Sequence, residues 1–539
     1  MATTLVITGG TVYDGSGSEG VRADVAVEGD RVVQVAPPGQ LPDTPGARRI
    51  DATGLAVAPG FVNVLSHAWG SLQQDGAGTS DLLQGVTTQV FGEAFSLGPG
   101  NDDVREMVGA LAGGHEEGGV RLVFDHLADG LDHLERRGVA QNVASFVGGH
   151  NLRVLGARFD DRPLSAHELD RLVGLMREEM QDGALGIGTA LIYPPGNYAS
   201  TDELIAVCGP VGEYGGTYIS HMRSEGDEFL ECLDELLLIG ERAGCRAEVY
   251  HLKAAGRRNW PKMALAIERI QAARDAGREV GANMYPYTAG GTALAACIPP
   301  RFHDGGPDAL ARRLADPVVR REIAAAMSTE SGGGFENLFL AASEGEGILF
   351  FSDLSDGTPA RGRHLSDLAG ELGLSPADTL LEIVARDAET GVAYFLMDEA
   401  NVELGLAQPW VSLGSDAEAY AAVAPHTDEP THPRTYGTFA RFLGHYVRER
   451  GVTDFADAVR RLTSLPCDGL GLRDRGRLAP GAYADVVVLD PSTVIDHATY
   501  DDPHRYSTGV HHVVVNGEPV VEAGAVLEAR PGIRLRRGA

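Results

Sequence analysis

Lysine is almost missing from this chain: Lys253 and Lys262 are the two it has. Asp and Glu number 76 against 45 Lys and Arg, for a formal net charge of −31 over 539 residues. Such a surface repels polyanions, which excludes a basic nucleic-acid groove and a face for anionic membrane. Cysteine is sparse too. Cys208, Cys232, Cys245, Cys297 and Cys467 are scattered and form no C-x-x-C pair. That excludes a disulfide framework and a cysteine zinc cluster, and it suits a reducing cytosol. No apolar run approaches the roughly 18 residues of a membrane-spanning helix. The first ten residues, Met1 to Gly10, lack the basic-then-apolar pattern of a signal peptide. A cytoplasmic protein without membrane or nucleic-acid partners is expected.

What is present is size and order. The chain is long enough for a large core and more than one domain. Residues 1–58 read as strands joined by Gly/Asp turns, such as Leu5-Val6-Ile7 before Gly9-Gly10 and Asp24 to Val27 before Gly29-Asp30. Residues 479–539 have the same texture, with Val486-Val487-Val488-Leu489 and a hairpin turning at Asn516-Gly517. Neither end makes a stable sheet alone, so the two are expected to pair into one small β-sandwich domain. Between them, over 59–478, short apolar runs alternate with amphipathic helical stretches: Phe61 to Ser66, Val86 to Gly92, Val143 to Gly148, Leu185 to Thr189, Thr217 to Ser220, Ala247 to Tyr250, Val280 to Tyr285 and Val411 to Ser415. This is the pattern of an α/β protein built on a (β/α)8 TIM barrel. The gap between the seventh and eighth runs is too long for one loop, and about 300–351 reads as an inserted subdomain or lid. Gly113 to Gly119 reads as a plain loop.

Barrel enzymes place their sites at the C-terminal rim of the strands. The residues due at that rim are His67, Glu93, His150 with Asn151, His221, His251, Tyr285 with Tyr287, and Asp416. His221 and His251 end two runs one βαβ step apart, which sets two imidazoles side by side. A single histidine is most often hydrogen-bonded structure; two in matching contexts favour a metal. Imidazole with carboxylate suits zinc with an open position for water, whose pKa then falls near neutrality. Glu93 reads as a metal ligand or a helix cap, and Asp416 as a proton carrier or a cap. His67 lines the pocket or is a vestige, and His150 lines it or caps a strand. Asp227, Asp398, Glu399 and the carboxylates from Asp102 to Glu106 read as solvated faces or caps.

Several motifs, in order and at their separations, resemble the amidohydrolase superfamily and within it the D-aminoacylases, the N-acyl-D-amino-acid deacylases. They are Ala58-Pro59-Gly60-Phe61-Val62, Gly85-Val86-Thr87-Thr88, Ser220-His221-Met222-Arg223, His251-Leu252-Lys253, Tyr285-Pro286-Tyr287-Thr288-Ala289-Gly290, Gly414-Ser415-Asp416 and His432 to Phe439. The resemblance runs nearly end to end. It implies a metal-bearing barrel flanked by a split β-sandwich, with His221 and His251 as zinc ligands and Asp416 as catalytic acid/base. Lys253, Tyr285 and Arg434 would hold the carboxylate of a small substrate carrying an amide, with His150 nearby. The implied reaction is attack of a zinc-bound hydroxide on an N-acyl amino acid of D configuration. The sequence departs from the family at three places. Leu65-Ser66-His67 replaces His-x-His, so a second, outer metal would have at most His67, and one zinc ion is expected. Glu93 stands where a cysteine ligand is common, and Gly291 beside Thr292 where a serine often meets the carboxylate. The alternatives are an enzyme of this fold acting on another amide, a cyclic amide or a ureide, or a degenerate protein that binds without catalysis.

Overall fold

The computed structural model of the protein describes residues 3–42, 45–111, 121–329, 331–333, 335–424, 426–427 and 431–538. The loop expected at Gly113–Gly119 lies outside the described residues. Five strands open the chain: β1 (Leu5–Val12), β2 (Val21–Glu28), β3 (Arg31–Ala36), β4 (Arg48–Asp51) and β5 (Ala56–Pro59). The middle holds β6 (Phe61–Asn63), β7 (Val86–Phe91), β8 (Asn142–Ser145), β9 (Val147–Gly148), β10 (Gly186–Ala190), β11 (Thr217–His221), β12 (Arg246–Val249), β13 (Val280–Met284), β14 (Ala289–Ala293), β15 (Ile348–Phe350), β16 (Gly391–Phe395) and β17 (Val411–Leu413). The last are β18 (Val486–Leu489), β19 (Val510–Val515), β20 (Glu518–Glu522) and β21 (Ala525–Val526).

Strands alternate with helices through the middle of the chain, and the fold is α/β. β6, β7 and β8 pair in parallel, as do β9, β10, β11, β12, β13 and β17. β8 runs straight into β9 through Phe146, whose N–H donates to the carbonyl of Phe91 at 2.9 Å. Beyond the other edge, Val64 N–H donates to Leu413 O at 3.4 Å and Asp416 N–H to Leu65 O at 2.9 Å. Every residue of β7, β10, β11 and β13 is buried. Parallel strands covered on both faces are mostly apolar or small, because no side of them meets water, and the amide exceptions Gln89 and Asn283 are hydrogen-bonded to Asp81 and to the His251 N–H. The eight apolar runs seen in the sequence coincide with β6, β7, β8–β9, β10, β11, β12, β13 and β17.

The step from β11 to β12 shows how the sequence makes this architecture. The helix Phe229–Ala243 buries Phe229, Cys232, Leu233, Leu236 and Ile239, the spacing of one helical face. Gly244, at φ 68°, takes the left-handed conformation that ends the helix and turns the chain into β12. Burying each large apolar side chain of that face contributes roughly 1.5–3 kcal/mol.

Both chain ends enter one nine-stranded sheet, in the order β21-β20-β19-β18-β5-β1-β2-β3 with β4 also on β1. The join is antiparallel, with Val486 opposite Pro59 and Leu489 opposite Ala56. Apolar residues from both ends, among them Ile7, Val25, Val32, Val486 and Val514, form one cluster. Between β13 and β17 the chain builds a separate antiparallel sheet, β14-β16-β15, over an apolar cluster of its own. Apart from Ile192 and Ala255, which join it from earlier in the chain, that cluster runs from Leu294 to Leu396 and so extends past the expected 300–351 on both sides.

Candidate metal centre and substrate pocket

Each rim residue is set by the backbone at a strand end. Gly92, at φ 112°, ends β7, and a Cβ there would lie 2.4 Å from the carbonyl oxygen of Phe146. Only glycine fits, and the turn it makes aims Glu93 inward. Ala94, His251 and Asp416 have φ of 57°, 32° and 51°. Non-glycine residues in that region store about 1–3 kcal/mol each and concentrate at functional sites. The backbone of His251 is held there by its N–H donating to Asn283 Oδ1 at 2.9 Å.

Glu93 is the centre of the cluster. Its Oε1 lies 3.0 Å from His251 Nε2 and 3.2 Å from His221 Nδ1. Its Oε2 lies 3.2 Å from His67 Nε2, which is also 3.0 Å from Asp416 Oδ1. Arg434 Nη1 approaches Asp416 Oδ2 at 2.6 Å, and its guanidinium sits 4.9 Å from the centre of the Tyr285 ring. Lys253 Nζ lies 2.5 Å from Glu225 Oε2 and 2.7 Å from His251 Nδ1. His150 is buried at the start of the helix Gly149–Ala157, its ring 4.9 Å from that of Phe95. His67, Glu93, His150, His221, His251, Lys253, Tyr285, Asp416 and Arg434 line one cavity of about 430 Å³, whereas Asn151 and Tyr287, also expected at the rim, do not. The rest of its wall is largely apolar and includes Phe159, Ile192, Tyr193, Ile298, Leu310 and Leu396.

The electrostatics call for positive charge among the carboxylates. Burial alone would neutralise Glu93, but His251, His221 and His67 hold its pKa well below the usual value. Burial likewise opposes ionising Asp416, and Arg434 outweighs it to keep that carboxyl below the ordinary range. Burial disfavours the imidazolium of His67, yet hydrogen bonds to Asp416 and Glu93 lift it to about 10. His251 rises to about 9, against burial and Lys253, through Glu225 and Glu93. His221 moves down, because burial outweighs the pull of Glu225. His150 falls to about 4 through burial and is neutral at ordinary pH. Protons on imidazoles or a divalent cation can supply that positive charge.

Two groups of donors could take a cation, each offering atoms within 4.8 Å of one another: Glu93 with His221 and His251, and His67 with Glu93 and Asp416. The first, two imidazole nitrogens and a carboxylate oxygen beside an open cavity, fits zinc. The second corrects the expectation that an outer ion would have at most His67. Leu65 gives nothing, since it is buried in an apolar cluster with Val90 and Tyr250. The fold instead brings up the second oxygen of Glu93 and the carboxylate of Asp416. Three residues of the site escaped the sequence reading: buried Glu225 and Glu336 and half-buried Tyr193. Glu225, four residues after His221 in a glycine-containing loop, was findable as a carboxylate close to a proposed ligand. Tyr193 and Glu336 carry no such mark.

A model of the amidohydrolase family matches residues 388–521, the segment that carries Asp416 and Arg434. Within that class the chain belongs to the D-aminoacylase family: it is 34% identical to the D-aminoacylase of Alcaligenes xylosoxydans xylosoxydans over 99% of this chain and 98% of that one. A D-aminoacylase structure studied for the role of its binuclear metal centre, with activation by one metal and attenuation by a second, is 33% identical and superposes with a TM-score of 0.81 over 99% of this chain and 100% of the other. The N-acyl-D-glutamate deacylase of Bordetella bronchiseptica, in complex with zinc and a phosphonate mimic of the tetrahedral intermediate, is 30% identical, with a TM-score of 0.81 over 99% of this chain and 100% of that one.

Proposed function

We propose that the protein hydrolyses the amide bond of N-acyl-D-amino acids, with one zinc ion held by Glu93, His221 and His251. The observation that carries this reading is that Glu93 Oε1 lies 3.0 and 3.2 Å from one nitrogen of each histidine, with Asp416 one imidazole away. Full-length identity to a D-aminoacylase supports the substrate class. A bound zinc ion would acidify a water and polarise the acyl carbonyl. Asp416, kept ionised beside Arg434, takes the proton of the attacking water as the new C–O bond forms. It returns that proton to the nitrogen as the C–N bond breaks, releasing a carboxylic acid and a D-amino acid. Arg434 and Tyr285 face the substrate carboxylate, since a guanidinium and a phenol hydroxyl both donate to it. Lys253 adds positive charge on the same side, and neutral His150 walls the pocket. His67 steers Asp416.

The same reading takes the eight parallel strands as a closed (β/α)8 barrel. The bonds from Val64 to Leu413 and from Asp416 to Leu65 support closure. It divides the chain into a barrel over 59–478 and a β-sandwich from residues 1–58 and 479–539, with the insertion widened to about 289–396. It places the enzyme in the cytoplasm, where five free cysteines are at home.

The test is zinc analysis by atomic emission together with initial rates on N-acetyl-D-leucine, its L enantiomer, N-acetyl-D-glutamate and a hydantoin. One zinc per chain and turnover of the D substrates is expected. A protein that holds no zinc and cleaves none of the N-acyl amino acids would sink the reading, and turnover of the hydantoin alone would transfer the site to cyclic amides.

A further inference from the structure

One buried carboxylate at the site has no part in the chemistry above. Glu225, in the loop after β11, is 1% exposed. Its Oε1 lies 3.1 Å from His251 Nδ1, and its Oε2 lies 3.3 Å from His221 Nε2 and 2.5 Å from Lys253 Nζ. On each imidazole it therefore meets the nitrogen opposite the one that faces Glu93. A ring nitrogen that donates to a carboxylate has its tautomer and ring plane fixed, and leaves the other nitrogen free to bind. Glu225 does this for His251 through a hydrogen bond, and it approaches Nε2 of His221 at 3.3 Å as an ion-pair contact without one. Lys253 balances its charge, with Nζ also 2.7 Å from His251 Nδ1.

Glu225 is itself fixed from outside the strand ends. Its carbonyl accepts from Ala255 N–H at 2.8 Å. Its N–H donates to Oε2 of Glu336 at 2.5 Å, 111 residues further along. Glu336 belongs to the inserted segment, is 3% exposed, and lines both the substrate cavity and a second one of about 300 Å³ behind it. It touches neither Glu93 nor either imidazole through any hydrogen bond or ion pair among the described residues.

We infer that Glu225 is a positioning residue for His221 and His251, and that Glu336 couples the inserted segment to the metal donors by holding the backbone of Glu225. The inference rests on the zinc reading above but concerns residues that do not ligate. The experiment compares zinc dissociation constants, by competition with a chromophoric chelator, for the full-length protein and its Glu225→Gln, Glu336→Gln and Glu336→Ala variants. The unfolding temperature of each chelator-treated protein is measured alongside.

Removing such a hydrogen-bond partner typically weakens metal binding about 10–100-fold, and that is expected of Glu225→Gln, whose amide can accept from one imidazole only. Glu336→Ala should weaken zinc binding by a smaller factor, with an unfolding temperature close to that of the parent. Glu336→Gln should restore near-parental affinity, because its amide oxygen still accepts from Glu225 N–H. Unchanged affinity in Glu225→Gln and Glu336→Ala, in a parent that binds zinc, overturns this inference alone. Equal loss in Glu336→Gln and Glu336→Ala overturns the coupling through Glu225. A parent that binds no zinc overturns the earlier reading and this one with it.

Discussion

The two donor groups that meet at Glu93 differ in shelter and in backing. Glu93, His221 and His251 are buried, and Glu225 stands behind both imidazoles, hydrogen-bonded to that of His251 and 3.3 Å from that of His221. His67 of the other group has 32% of its side chain exposed, its neighbour Asp416 is engaged by Arg434, and among the described residues its imidazole forms ion pairs only with Glu93 and Asp416 themselves. The number of donors is the same in both. What separates them is how firmly each donor is held before any ion arrives, since freezing a loose side chain subtracts from affinity. The first group is therefore expected to bind the tighter ion, and the second to bind weakly or only at high metal concentration.

Glu93→Gln gives the largest expected effect, because it strikes both groups. Zinc content should fall to near zero, and kcat/KM should drop by more than the roughly 100-fold of an outer-shell change. Retention of one zinc per chain would show that Glu93 is not the third ligand. Next is Asp416→Asn, which removes the proton carrier and leaves the sheltered group intact. Initial rates should show kcat lower by about 10²–10⁴-fold, with zinc content unchanged. His67 and Leu65 separate the groups further. His67→Asn should abolish any second, weaker phase in a calorimetric zinc titration while leaving the first unchanged. Leu65→His should strengthen that phase, at about 1–3 kcal/mol of stability for a polar ring in an apolar cluster.

The remaining expectation is the pH dependence. His67 and His251 have pKa values of about 10 and about 9, above the roughly 6.5 of an unfolded histidine. Their contribution to stability is then fully present below pH 6.5 and is lost as pH rises through 9 to 10. The unfolding temperature of chelator-treated protein should fall across that interval. Zinc affinity should rise over the same range, as His251 no longer has to give up a proton.

The strands were legible because a buried parallel strand can be made only of a short apolar run ending in a turn. Glu93, His221, His251 and Asp416 were legible for a related reason: a strand end points its next residue at the rim. Glu225 was not, since its loop reads as ordinary solvated chain until two strand ends come together over it. Glu336 could not be read at all, because its partner lies more than a hundred positions away and nothing local marks either residue. The insertion was seen as excess length, but its true extent depends on β14 and β16, whose pairing bridges a gap that no local period reveals. Leu65 misled in one respect. The absent histidine was visible, while the carboxylates of Glu93 and Asp416 that stand beside His67 came into view only with the fold.

The pairing of Pro59 with Val486 carries a consequence for biosynthesis. β5 leaves the ribosome long before β18 exists, and at about 5–20 residues per second the wait is between about twenty seconds and a minute and a half. Through that interval β5 presents an open edge of alanine and valine, the kind of surface that recruits other nascent chains. The last sixty residues thus act as a late clasp, and a chain stopped before Val486 is expected to be recovered in the insoluble fraction even though every metal donor has been made.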